Sequence, residues 1–443
     1  MADAITLVAG EPGTGKTILA EQCLFQNASL ERPGIYFSTV SEPFDKLLRY
    51  GQALDFFDAK QIGHSVFYDD LGDPLNRDGV AGLLERVDAL LKERRPGVVV
   101  IDSFKAIRDF AVDDAEFRRF LHELAGRFTA LAITSFWIGE YATREAMQCP
   151  EFGVADAVIY LETKRTAERV GRYLSVLKVR GSGFSPGEHS YRLSATGIEA
   201  FPRLADTRDE IRIDSSEGRV STGIPALDEA LGDGYWPGST TLIAGPSGAG
   251  KTLMGLHFLY SGAEGGEPGI LVTLQENRTQ LGRIINRFGW AVDGGVTIMD
   301  RSPVELLIDE LVYELLDCID AVGARRVVID SIGDLALTTP DSIRFREFVH
   351  SLVQRCARNG VSLLFTFETS ELFRVTQLSE VGMSHLSDNV VLLQHMYDGA
   401  QMKRALTVLK TRGSNHDPMI REFQITDDGI TIGEPIDLQA LLR

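Results

Sequence analysis

The pattern G-x-x-x-x-G-K-T occurs twice in this 443-residue chain, at Gly10–Thr17 and at Gly245–Thr252. Such a run needs a buried strand before it and a helix after it. Its glycines turn backbone N–H groups inward around an anion while the helix N-terminus adds positive potential. Each copy therefore commits its half of the chain to a strand, a phosphate loop and a helix. Two further patterns recur in the same order. Val98-Val-Val-Ile-Asp102-Ser103 returns as Val327-Val-Ile-Asp330-Ser331, and Leu177-Lys178-Val-Arg180-Gly181-Ser182 returns as Leu409-Lys410-Thr-Arg412-Gly413-Ser414. Three motifs in one order at nearly one spacing indicate a tandem duplication.

Each half alternates short β-rich runs with helical periodicity. In the first half the pattern predicts strands at 5–9, 35–39, 98–101, 131–134 and 157–161, with helices over 79–93 and 114–127. The loop helices are expected at 18–25 and 253–260. This alternation implies an α/β class: two tandem P-loop NTPase domains, each a mostly parallel central sheet flanked by helices. Each half closes with an antiparallel tail, 188–193 with 197–201 and 419–425 with 429–432. Residues 206–218 are charged and turn-rich, so the expected division is a first domain at 1–205, a linker at 206–218 and a second domain at 219–443. The second half carries a lead-in at 221–238, a short helix and a glycine-rich turn. The first starts nine residues before Gly10 and is expected to lack that lead-in.

Composition narrows the function. Lys and Arg total 45 against 63 Asp and Glu, a net charge of −18, which repels a phosphate backbone and argues against nucleic acid or an anionic membrane as partner. No apolar run reaches the ~18 residues that span a bilayer. The opening segment lacks the basic and apolar regions of a signal peptide. Cys23, Cys149, Cys318 and Cys356 are scattered, which indicates neither a disulfide framework nor a zinc site. The expected location is the cytoplasm.

The duplicated motifs call for ATP and Mg²⁺. Gly13, Thr14, Gly15, Lys16 and Thr17 form one phosphate cradle, and Gly248, Ala249, Gly250, Lys251 and Thr252 the other. The lysines are expected to reach the β- and γ-phosphates, and Thr17 with Asp102, like Thr252 with Asp330, to hold the metal. A chance glycine-rich turn would not bring the flanking elements and the downstream Asp along twice. Hydrolysis also needs a carboxylate that orients or deprotonates water. Glu276 is the candidate in the second half, beside Gln275, which positions water without taking its proton; Glu42 is the candidate in the first. Either acid reads alternatively as a solvated loop end. Lys178 with Arg180, and Lys410 with Arg412, suit fingers that cross a subunit boundary to the γ-phosphate, or else a charged edge that blocks strand pairing. Tyr50 and Phe288 suit core packing better than adenine stacking. No histidine shows metal-ligand spacing.

These residues resemble the KaiC family of tandem RecA-like ATPases over essentially the whole chain. The paired phosphate loops, the second lead-in, both Lys-x-Arg-Gly-Ser motifs and the run Arg412–Asp417 followed by Ile420–Phe423 carry the resemblance. It implies two RecA-like lobes in a hexameric ring, with ATP at subunit interfaces reached by fingers from the neighbour. It further implies a slow ATPase in the first lobe and a serine/threonine autokinase and autophosphatase in the second. The family's paired catalytic glutamates match Val40-Ser41 and Gln275-Glu276, so Gln275 stands at the usual general-base position. The phosphoacceptor pair matches Ser384-His385, which keeps the serine, while the stretch 151–156 of the first lobe offers no hydroxyl. The chain ends at Arg443 with little of the tail that engages the clock protein's regulatory partner, so a clock role is not implied and partners are unknown. The expectation is a slow, ring-forming Mg·ATPase, with Ser384 read either as the acceptor of autophosphorylation or as a loop serine that caps a turn. Its rivals are a scaffold that ATP assembles without appreciable hydrolysis and a RecA/RadA-like DNA-repair ATPase, the latter opposed by the acidic charge and the lack of a basic, aromatic loop.

Overall fold

A computed structural model describes residues 3–39, 44–142, 148–166, 169–204, 218–291, 294–304, 306–339, 341–369, 383–398, 401–427 and 429–436. The chain divides into two compact units, Met1–Asp206 and Thr207–Arg443. Most of the expected linker, residues 206–217, lies outside the described residues.

The first unit contains β1 (Ile5–Gly10), β2 (Gly34–Ser38), β3 (Val66–Asp70), β4 (Val98–Asp102), β5 (Thr134–Glu140), β6 (Ala157–Thr166), β7 (Arg169–Val179), β8 (Glu188–Ser194) and β9 (Gly197–Phe201). They form one nine-stranded sheet in the order β3-β2-β4-β5-β1-β6-β7-β8-β9. The pairs from β3 to β6 are parallel, and those from β6 to β9 are antiparallel. The second unit repeats the plan with β10 (Thr240–Gly245), β11 (Gly269–Thr273), β12 (Val296–Asp300), β13 (Arg326–Asp330), β14 (Ser362–Glu368), β15 (Asn389–Asp398), β16 (Gln401–Thr411), β17 (Arg421–Thr426) and β18 (Gly429–Pro435). Its order is β12-β11-β13-β14-β10-β15-β16-β17-β18, the same arrangement strand for strand. The tandem repeat seen in the motifs is thus a repeat of the whole fold, two RecA-like domains in one chain.

Burial explains the strands that precede the phosphate loops. β1 and β10 are buried at all six positions, which requires the near-continuous small and apolar runs ITLVAG and TTLIAG. On one face of the first sheet, Leu83, Val87, Phe117 and Leu121 of the helical segments Gly72–Arg94 and Asp114–Ala130 pack with Val99, Ile101 and Trp137. On the other face, Ala20, Leu24 and Phe25 of helix Lys16–Asn27 pack with Tyr36, Val98 and Val100. In the second unit, Met254 and Phe258 of helix Lys251–Glu264 pack with Leu271 and Val328. The helix after each phosphate loop is therefore pinned to the strands that end in the site.

Several expected elements shift. The strand expected at 131–134 instead begins at Thr134. Leu131 caps helix Asp114–Ala130 and is 52% exposed, and Ala132 takes φ 51°. These apolar residues form a turn, a backbone demand that hydrophobicity does not display. The helix expected from Gly79 is part of a longer helical segment, Gly72–Arg94, that breaks at Gly79 with φ 62°. The antiparallel part starts one strand earlier than the tail predicts, with β7 and β16, which carry the Lys-x-Arg motifs. The second lead-in forms helix Pro225–Ala230 and a bridge between Val220 and Tyr235. Among the described residues no helix is long and apolar enough to cross a membrane.

Candidate active site

Both phosphate loops leave the C-terminal ends of β1 and β10 and enter helices Lys16–Asn27 and Lys251–Glu264. Gly15 and Gly250 cap these helices at φ 88° and 104°, a left-handed conformation that side chains resist. At Gly10 a Cβ would lie 2.2 Å from the Leu161 carbonyl oxygen of β6, so only glycine lets the loop start there. Gly13 and Gly248 sit exposed on the loop crests, while Thr14 and Ala249 are buried beneath them. The Thr14 hydroxyl donates to the Glu11 carbonyl at 2.8 Å.

Each lysine ammonium folds over its own loop. Lys16 Nζ donates to the Glu11 carbonyl at 2.7 Å, and Lys251 Nζ donates to the Gly245 and Pro246 carbonyls at 3.0 and 2.9 Å. Burial pulls both ammonium groups below their usual pKa, opposed first by Glu140 at Lys16 and by Glu368 at Lys251. A buried cation of this kind gains from an arriving phosphate anion.

The metal candidates meet as hydroxyl and carboxylate. Thr17 Oγ1 donates to Asp102 Oδ2 at 2.7 Å, and Thr252 Oγ1 to Asp330 Oδ2 at 2.6 Å. Hard oxygen donors in this number fit Mg²⁺, which keeps several of its own waters. Sequence reasoning missed the second donor to each acid. Tyr36 Oη donates to Asp102 Oδ2 at 2.8 Å, whereas Thr366 Oγ1 donates to Asp330 Oδ1. These partners come from β2 in one unit and β14 in the other, so no repeated spacing announces them.

The two side chains at the tip of β11 diverge. Gln275 is exposed, and its Nε2 donates to Asp334 Oδ2 at 2.7 Å. Glu276 turns inward, with Oε2 buried and without a hydrogen-bond partner among the described residues. Burial, then the nearby Asp330 charge, raises its pKa. An inward carboxylate of raised basicity is what proton abstraction from water requires. Glu42 lies outside the described residues. Ser384 lies in the short helix Met383–Leu386, and its side chain is outside the described set.

The Lys-x-Arg pairs lie at the far ends of β7 and β16, each arginine one residue past its strand. Lys178 Nζ donates to the Phe152 and Gly153 carbonyls at 2.9 and 3.0 Å, and Arg180 also donates to Gly153. Lys410 Nζ donates to the Ser387 carbonyl at 2.6 Å and Arg412 to that of His385 at 3.1 Å. Both arginine side chains stay more than half exposed. Tyr50 departs from its expected core packing: it is 58% exposed, because helix Phe44–Gly51 turns Leu47 inward and Tyr50 outward. Phe288 packs on His257 and Trp290, with ring centroids 5.9 and 5.2 Å away.

In both units the strand that ends in the phosphate loop and the strand that ends in the acid flank one intervening strand. That order, with the site at the strands' C-terminal ends, defines a RecA-type P-loop NTPase. The model of the KaiC ATPase family matches residues 1–205 and again 220–437. The chain is 31% identical to circadian clock protein KaiC3 of Synechocystis, over 97% of this chain and 88% of that protein. It is 31% identical to the circadian clock oscillator protein KaiC of Rippkaea orientalis and 30% identical to that of Synechococcus elongatus, each over 96% of this chain and 84% of the relative. The chain belongs to the KaiC family of ATPases.

Proposed function

We propose that each unit, 1–205 and 219–443 joined by a linker at 206–218, binds Mg·ATP and hydrolyses it slowly, within a homohexameric ring in the cytoplasm. The observation that supports this best is the buried lysine beside a Thr–Asp pair, built in the same way twice. On binding, Lys16 or Lys251 exchanges its loop carbonyls for β- and γ-phosphate oxygens. Backbone N–H groups of Gly13–Thr17 and Gly248–Thr252 cradle the phosphates. Thr17 with Asp102, and Thr252 with Asp330, would hold Mg²⁺, which when bound neutralises charge on those oxygens.

In the second unit Glu276 accepts the proton of the attacking group, and Gln275 orients it. With water the products are ADP and inorganic phosphate. With Ser384, its oxygen bonds to the γ-phosphorus as the bond to ADP breaks, which makes this unit an autokinase. Lys178 with Arg180, and Lys410 with Arg412, leave the carbonyls they cap and serve the neighbouring subunit's γ-phosphate. Relatives named as circadian clock proteins suggest a regulatory output for this chain, exerted through protein partners.

The test is intact-mass analysis with phosphopeptide mapping after incubation with Mg·ATP, with phosphate release recorded in parallel. Phosphate on Ser384 with steady release is expected. Release without a phosphopeptide removes the kinase and leaves the ATPase. Ring formation with neither signal establishes an ATP-assembled scaffold, the reading that Val40-Ser41 and Gln275 in place of carboxylates permit.

A further inference from the structure

A carboxylate stands at the tip of β5 in the first unit. This strand lies between β1, which ends in the phosphate loop, and β4, which ends in Asp102. Its last residue is Glu140, paired in register with Gly10, the first glycine of the loop. The second unit repeats the placement: Glu368 ends β14, between β10 and β13, and pairs in register with Gly245. Topology alone therefore puts one carboxylate between the phosphate-binding lysine and the metal-binding aspartate in each unit.

Side-chain geometry agrees. Glu368 Oε2 lies 3.7 Å from Lys251 Nζ, with the carboxylate about half exposed and the ammonium buried. In the first unit the matching register sets Glu140, exposed at the end of its strand, beside the first glycine of the loop that carries Lys16. Two residues before Glu368, Thr366 donates to Asp330. Alternate residues of a strand share a face, so Glu368 leaves the sheet on the face that meets the metal-binding acid. A carboxylate at this tip is next to the place where Lys16 must meet the γ-phosphate, and its exposure leaves room for water.

The units differ in what else they offer. The second has the inward Glu276, whereas the loop after β2 has Val40-Ser41 where the first would need its glutamates. We propose that Glu140 orients and deprotonates the attacking water in the first unit, the task that Glu276 performs in the second. The proposal rests on the hydrolysis reading above. The water oxygen bonds to the γ-phosphorus, the bond from that phosphorus to the β-bridging oxygen breaks, and its electron pair leaves with ADP. The water proton passes to the Glu140 carboxylate, and inorganic phosphate is released. The Lys16 ammonium, which meets the γ-phosphate, lessens the repulsion between that phosphate and the carboxylate.

The test uses the full chain with Lys251→Ala, so that phosphate release reports the first unit. Glu140→Gln, Glu140→Asp and Glu42→Gln are added singly, and ATP affinity and kcat are measured for each. Glu140→Gln is expected to lower kcat by about 100-fold or more with ATP affinity within about threefold. Glu140→Asp should recover part of the rate, and Glu42→Gln compares the other carboxylate that the sequence offers, with the larger loss expected in Glu140→Gln. Lost affinity at unchanged kcat overturns the proposal, because the carboxylate then only positions Lys16. Unchanged kcat in Glu140→Gln, or the loss appearing in Glu42→Gln instead, overturns it too. If the Lys251→Ala parent releases no phosphate, the hydrolysis reading for this unit falls, and this proposal with it.

Discussion

Lys16 and Lys251 bond to carbonyls of their own loops, so an arriving phosphate replaces neutral acceptors with charged ones. Charge-assisted hydrogen bonds contribute about 1.5–3 kcal/mol. Lys251→Ala should therefore weaken ATP retention in the second unit by about 10- to 100-fold; unchanged nucleotide content in equilibrium dialysis would contradict the site. A second residue-scale prediction concerns pH. Glu21 is almost fully buried in helix Lys16–Asn27 and accepts from Tyr68 Oη at 3.2 Å. Burial pushes its carboxyl up to about 7, helped by Asp102 and opposed by Tyr68. Between the usual carboxylate range and about 7 the folded state binds the extra proton. Stability must then fall as pH rises through that window, by roughly 3 kcal/mol if the whole shift is expressed. His257 behaves oppositely, since burial lowers it to about 4. The unfolded state then binds more protons between about 4 and 6.5, so this contribution is lost as pH falls. Denaturant titrations from pH 5 to 8 should show a flatter decline with rising pH in Glu21→Gln than in the parent.

At the scale of elements, the loop that presents Gln275 and Glu276 is anchored by the start of the next helix. Asn277 accepts from the Gln280 N–H at 3.0 Å, and the Gln280 side chain accepts from the Asn277 N–H at 3.1 Å. This reciprocal pair starts helix Arg278–Arg287. Asn277→Ala should cost about 1 kcal/mol and lower phosphate release along with it, measurable by urea unfolding and by turnover. The Lys-x-Arg motifs also act on elements, because they cap the C-terminal carbonyls of helices Pro150–Val154 and Met383–Leu386. Cations are favoured there. The sequence announced the motifs and their strands, but it did not show that these cations bond within their own unit. The contact joins residues 25 to 27 positions apart, beyond any local pattern.

For the whole molecule, fingers that act across a subunit boundary predict complementation. In a Lys16→Ala background, Lys251→Ala and Arg412→Ala chains should each be inactive alone. Mixed in equal amounts and reassembled with ATP, they should regain about a quarter of the parent rate, since random placement in a closed ring rebuilds that share of interfaces. A mixture as silent as its components would mean that the cations serve only their own chain.

The sequence by itself determined the duplication, the α/β class, the strands that lead into both phosphate loops and the Thr–Asp pairs. Each arises from a local demand: a continuous apolar run for a strand covered on both faces, or glycine where a positive φ or a close carbonyl leaves no room for a side chain. Tertiary structure alone decided which further groups meet at the site. Glu140 and Glu368 are 228 positions apart, as are Asp102 and Asp330, so a signal was present, but nothing local marked their meaning. They lie beside the loops that carry the lysines because β5 and β14 insert between strands far apart in the chain. The bonds from Tyr36 and Thr366 to the two aspartates, the exposure of Tyr50 and the turn at Leu131 share that origin. Strand order and facing direction arise from packing the whole sheet, and no short stretch of residues contains them.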